Sequence, residues 1–158
     1  MSYPKEFIDY LVQFHGSRDY FECHEILEEY WKETDPRNKQ SHWVGFILLA
    51  VSRYHHRREN FPGAEKTANN SLKIMKYTPA AVIHSLGLDY EQLIFMLEAS
   101  VEQIRKKMPY KSMNLPINSN ELLAKCQSQC EKEGYSWLHS GQVTEEIVHR
   151  HAVRDRSA

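Results

Sequence analysis

The chain has 158 residues, with 20 basic and 21 acidic side chains and a formal net charge of -1. That length suits one domain with a real core rather than two, and the balanced charge gives no electrostatic case for nucleic acid as a general partner. Hydrophobic residues make up 41% and charged ones 26%, as in an ordinary folded soluble protein, and the longest apolar run, Val44 to Val51, falls far short of the roughly 20 residues that span a bilayer.

The start, Met1-Ser2-Tyr3-Pro4-Lys5-Glu6, lacks a basic region followed by an apolar stretch, so no secretory signal is expected and the expected compartment is the cytoplasm, with no membrane partner. A first helix is expected from near Pro4, a residue suited to a first turn, to near Gly16, with Phe7, Tyr10, Leu11 and Phe14 facing the core. Asp19 is placed to cap a second helix, with Glu22 at capping-box spacing, running to about Glu33. Thr34 to Asn38 reads as a loop.

A third helix is expected from Ser41 to Arg58, its apolar face made by Trp43, Val44, Ile47, Leu48, Val51 and Tyr54. Gly45 within it allows another helix to approach closely. Pro62 suits the first turn of a fourth helix, whose stripe is Ala64, Ala68, Leu72 and Met75. Thr78-Pro79 reads as a cap and first-turn proline for a short helix, Ala80 to Leu86, which Gly87 interrupts. Asp89 opens a longer helix to about Lys107, with Leu93, Met96, Leu97, Val101 and Ile104 inward.

Met108 to Pro116 has two prolines and mixed polarity, and reads as an extended connector whose Leu115, Pro116 and Ile117 can lie across the bundle. A helix is expected from Asn118 to Glu133, stopped by Gly134, and a last one from Gln142 to Arg150. Residues 154–158 should fray. The expected fold is all-α: a compact multi-helix bundle over residues 1–107, then a connector and a C-terminal helical arm over 108–158 that packs loosely on the bundle or joins a partner.

Three cysteines, Cys23, Cys126 and Cys130, are too few and too irregular for a disulfide scaffold. Cys126 and Cys130 share a helix face, but no second pair completes a metal site, so they read as small, partly buried side chains.

The chemistry concentrates in Tyr20 to Trp31. Tyr20, His24, Leu27 and Trp31 share one face of the second helix, which draws His24 toward the interior. Glu28 follows His24 by four residues, with Glu25 at the margin. The other half of a carboxylate–histidine site would come from His55, on the stripe Val44, Leu48, Val51, His55. His56 points about 100° away from His55, and Arg53 and Arg57 form a separate polar face. Tyr20, Trp31 and Tyr54 are the expected pocket wall.

If His24, Glu28 and His55 converge, they offer three ligands to a divalent metal such as zinc, with iron or manganese also chemically acceptable. Without a metal the same trio can transfer protons near neutrality or serve as a buried polar network that fixes helix register. A zinc-protease helix is excluded, since that motif needs a second histidine where Glu28 stands. The aromatic load of 9 Tyr, 6 Phe and 3 Trp and the weakly apolar arm equally suit a non-catalytic module that self-associates or binds a protein partner. The basic run Arg53, His55, His56, Arg57 and Arg58, with Lys106, Lys107 and Lys111, reads as a solvated helix end rather than a nucleic-acid reader.

Phe14 followed by Tyr20-Phe21-Glu22-x-His24-Glu25-x-Leu27-Glu28-x-x-Trp31 resembles the signature of the domain of unknown function 309 family, small helical proteins of bacteria and archaea. Gly45-Phe46-Ile47-x-x-Ala50, Tyr54-His55, Asn60 and Gly63-Ala64 are similar to its second signature. The resemblance covers about residues 7 to 76. It implies an all-helical fold with a pocket between the motif helices, at which His24, Glu25, Glu28, Trp31 and His55 match the polar and aromatic core, and implies no activity, substrate or cofactor. Where family members often have glutamine, this chain has Ile47-Leu48, an apolar wall.

Overall fold

The amphipathic stripes fold into helices joined by short links. The structure, a computed structural model, describes residues 3–140, 143 and 145–149. In chain order the helices are α1 (Lys5–Val12), α2 (Tyr20–Thr34), α3 (His42–Arg57), α4 (Phe61–Tyr77), α5 (Ala80–Ser85), α6 (Tyr90–Arg105), α7 (Asn120–Lys132) and α8 (Glu145–Val148). Among the described residues there is no strand, only an isolated antiparallel bridge between Leu88 and Ile117. The fold is all-α, and none of the described helices is long and apolar enough to cross a membrane.

Local chemistry sets the helix starts. Asp19, Ser41, Asn60, Asp89 and Ser119 each accept a backbone N–H of their helix's first turn, satisfying donors with no intrahelical partner. Pro79, by contrast, occupies the cap position of α5 without a side-chain bond. Thr78 closes α4 instead of capping α5: its hydroxyl donates back to Ile74 O at 2.9 Å.

α3 is the central element, packed between α2 and α4, while α4 also packs on α6, and α1 on α2 and α7. This corrects the single apolar face expected for α3. Phe46, Leu49, Ala50, Ser52, Arg53 and His56 are buried as well, whereas Val44 and Leu48 are half-buried. A helix covered on several sides has no single stripe for a periodicity argument to find.

Small residues set the α3–α4 spacing. Ser52 Oγ donates to Ala64 O at 2.8 Å and Ser71 Oγ to Gly45 O at 2.7 Å. A Cβ on Gly45 would stand 2.7 Å from Met75 Cε and 3.2 Å from Ile74 Cγ2. Gly45→Val is expected to lower unfolding stability in urea by about 1–3 kcal/mol through overpacking. Gly45→Ala should change it far less, because it meets the end of Met75 first and gains about 1 kcal/mol of helix propensity.

The main core joins α1, α2 and α3 through Phe7, Tyr10, Phe14, Tyr20, Leu27 and Phe46, and extends to Leu115, Leu122, Cys126 and Cys130. Residues beyond 107 therefore contribute to the same core as the N-terminal helices. Cys126 and Cys130 are buried free thiols. Burial pushes Cys126 up to about 12 and Cys130 upward as well, so both stay protonated, as expected of small core side chains. Of the expected last helix, α8 is the described part; residues 154–158, expected to fray, lie outside the described residues.

Two features escape the helical pattern. α1 continues into a single π-helical turn, Gln13–Ser17, and Arg18 follows in the left-handed region at φ 57°. The connector then crosses the bundle, and buried side chains hold its backbone. Arg53 Nη2 donates to Lys111 O, His56 Nε2 to Met108 O at 2.7 Å, and Arg18 Nη1 to Met113 O at 2.7 Å. Leu115 N donates to His15 Nε2 at 2.8 Å. An extended segment has no internal ladder, so its backbone groups need such partners once buried.

Candidate ligand site between the second and third helices

α2 and α3 face each other across a hollow of about 170 Å³, lined by Tyr20, Phe21 and His24 from α2 and by Val51, Tyr54 and His55 from α3. One helical turn separates Tyr20 and Phe21 from His24, and another separates Val51 from Tyr54 and His55, so each helix contributes a single patch. An apolar cavity of about 150 Å³ accepts benzene, so this one has room for a single six-membered ring.

Hydrogen bonds fix what each imidazole can offer. His24 Nε2 lies 2.5 Å from Glu28 Oε2, and Glu28 also meets Lys32 Nζ at 2.9 Å. The hydrogen bond from Lys32, with the charge of His24, holds the Glu28 carboxyl below the usual range, so it is an acceptor and His24 Nε2 carries a proton. In the neutral His24 ring Nδ1 is then the acceptor. On α3, Asn60 Oδ1 accepts Gly63 N–H at 3.2 Å, which turns its amide nitrogen to His55 Nδ1 at 3.1 Å. His55 Nδ1 accepts, and the neutral ring carries its proton on Nε2. The two imidazoles thus present opposite hydrogen-bonding polarity.

The side chains expected from sequence divide clearly. Tyr20, His24, Tyr54 and His55 come together on the hollow. Glu28 reaches His24 and Lys32 but is not in the lining. Glu25 is exposed and Trp31 half-buried, both outside the lining, and Trp31 Nε1 donates to Asn38 O at 3.0 Å. Trp31 stands eleven residues from Tyr20, or about 16 Å along the helix, too far to wall the same space. Neither Ile47 nor Leu48 lines it. No group of three or more His, Cys, Asp or Glu side chains among the described residues is gathered to hold a metal ion.

The His24 and Glu28 side chains keep 27% and 33% of their surface exposed, so their pairing contributes at most about 1 kcal/mol.

The model of the family described as Domain of unknown function (DUF309) matches residues 7–67, the segment that holds both walls of the hollow. The uncharacterized protein YpuF of Bacillus subtilis (strain 168) is 46% identical over 156 residues, which cover 98% of this chain and 89% of that protein. The chain belongs to the DUF309 family. No solved structure matches it. Within the family segment also lie His15, Arg18, Arg53 and His56, whose partners in the connector fall outside it.

Sequence reasoning passed over Phe21 and Val51 as lining residues, although Phe21 stands three before His24 and Val51 three before Tyr54. It also passed over Arg18 and His15. A chemical signal for them was present only in their setting: an arginine and a histidine beside the Gly16-Ser17 break, flanked by apolar residues.

Proposed function

We propose that this DUF309 protein binds a small ring-bearing molecule with a hydroxyl or comparable polar group between α2 and α3. The observation that carries the reading is the convergence of two imidazoles of opposite polarity with Tyr20, Phe21, Val51 and Tyr54 on a ring-sized hollow. The aromatic side chains supply apolar contact, and His24 Nδ1 supplies an acceptor for orientation. The competing reading, a self-association or protein-partner module, drew on the aromatic load. Much of that load is spent inside, since Phe7, Tyr10, Phe14, Tyr20 and Phe46 are fully buried.

Phenol is the probe, titrated into the ¹⁵N-labelled chain. Saturable amide shifts centred on residues 20–24 and 51–55 are expected, and Val51→Trp, which fills the hollow from a half-buried position, should abolish them while leaving the remaining spectrum folded. Absence of saturation, or shifts indifferent to Val51→Trp, would overturn the reading. A parallel zinc chloride titration that moves His24, Glu28 and His55 where phenol does not would replace it with a metal site.

A further inference from the structure

A second hollow, of about 660 Å³, opens where the α1–α2 link, the end of α3, the connector and the segment after α7 meet. Its walls carry Arg18, Arg57, Lys111, Tyr110, Ser112 and His139, and no carboxylate is among the described lining residues. Asp19 follows Arg18 in the chain, but its carboxylate caps α2, accepting Glu22 N–H at 3.0 Å, and does not line the hollow. Three permanent positive charges therefore share one concave wall.

Arg57 is held rigidly. Its guanidinium carbon lies 4.6 Å from the Tyr20 ring centroid and 5.7 Å from that of Tyr110, and Nη1 donates to Arg18 O at 2.8 Å. Nε and Nη2 are shielded from solvent and find no hydrogen-bond acceptor among the described residues. Arg57 is half-buried at the wall of the hollow, so an anion there offsets its charge. Lys111 is exposed, and its ammonium has no ion-pair partner among the described residues.

We propose that this hollow binds a phosphorylated small molecule, its phosphate held by Lys111 within the field of Arg57 and Arg18. Three cations with no carboxylate among the described lining residues suit a phosphate dianion better than a single carboxylate. The volume falls within the roughly 300–1,000 Å³ of small-molecule sites, leaving room for the rest of the ligand. A concave patch on a chain of net charge -1 suits a compact anion better than a polynucleotide, which tracks an extended basic surface.

Calorimetric titration of the full chain at fixed ionic strength tests this, with inorganic phosphate, pyrophosphate and glycerol 3-phosphate as probes and glycerol as the uncharged control. Saturable one-site binding of the phosphates and none of glycerol is expected. Lys111→Ala, an exposed change that leaves the fold intact, should weaken binding by about tenfold. Lys66→Ala removes the same charge from α4, outside the lining, and should leave binding unchanged. Failure of all three phosphates to saturate would overturn the proposal, as would equal weakening by Lys66→Ala. So would steeply salt-dependent binding of a single-stranded oligonucleotide by a chain that ignores the small phosphates.

Discussion

Arg18→Ala is expected to destabilise the chain by about 3–5 kcal/mol, among the largest effects of any single substitution here. Arg18 is 2% exposed and its guanidinium gathers four acceptors: Phe14 O at 3.1 Å, Met113 O at 2.7 Å, His139 O at 2.8 Å and Asn114 Oδ1 at 2.9 Å. These belong to the π-helical turn, the connector and the segment after α7, so one side chain ties together three parts distant in sequence. Truncation leaves buried carbonyls without donors, which costs more than the bonds themselves contribute. Arg18 also sits at φ 57°, a strain that glycine relieves. Arg18→Gly loses the same bonds and should be less damaging than Arg18→Ala by about 1 kcal/mol. Urea unfolding gives both values, and trypsin cleavage after Lys111 should accelerate in both variants as the connector loosens. An Arg18→Ala variant within about 1 kcal/mol of the parent, cut at the parent rate, would refute the tethering role.

The same contrast explains what the sequence could disclose. Asp19 is legible as a cap, and Asp89 as a helix start, because the N–H each accepts lies three residues away. His24 and His55 are legible as neighbours because each sits on a stripe that must turn toward a partner helix. Thr78 misleads because two short-range bonds compete for its hydroxyl and the backward one, to Ile74 O, wins. Arg53 and His56 are not legible at all. In a window around α3 they belong to a basic run that reads as a solvated helix end, yet they are 2% exposed. What brings them inside is a connector that lies 58 and 52 residues further along and whose carbonyls need donors. Arg18 and His15 meet the same connector at separations of 95 and 100 residues. Local pattern predicts elements well. It cannot see that an extended segment, once laid across the bundle, selects buried basic side chains as its hydrogen-bonding partners.

This arrangement also makes the fold sensitive to acid, and His15 is expected to dominate the loss. Its Nδ1–H donates to Leu11 O at 2.8 Å and its Nε2 accepts the Leu115 N–H at 2.8 Å, while its ring lies 4.8 Å from that of Trp137. A proton added to Nε2 would face the amide proton of Leu115, donor against donor. Burial, and secondarily the charge of Arg18, lower the pKa from 6.5 to about 4, although the bond to Leu11 raises it. Between about pH 6.5 and 4 the unfolded chain therefore binds a proton that the folded chain refuses. Stability is full above the unfolded value and falls as the pH drops through this window, by about 3 kcal/mol in all. Burial lowers His42 and His56 too, which adds in the same direction. His15→Gln keeps an acceptor within reach of the connector and removes the titration. The variant should be less stable than the parent at pH 7.5, where the bond to Leu11 is missed. It should lose much less between pH 7.5 and 4, so that the two stability curves converge in acid. Urea unfolding at intervals across that range measures both curves, and parallel curves would show that His15 is not the group that titrates. Because Leu115 anchors the connector to His15, the protonated state should also expose Lys111 to trypsin more readily, linking the acid response to the same strap that Arg18 holds in place.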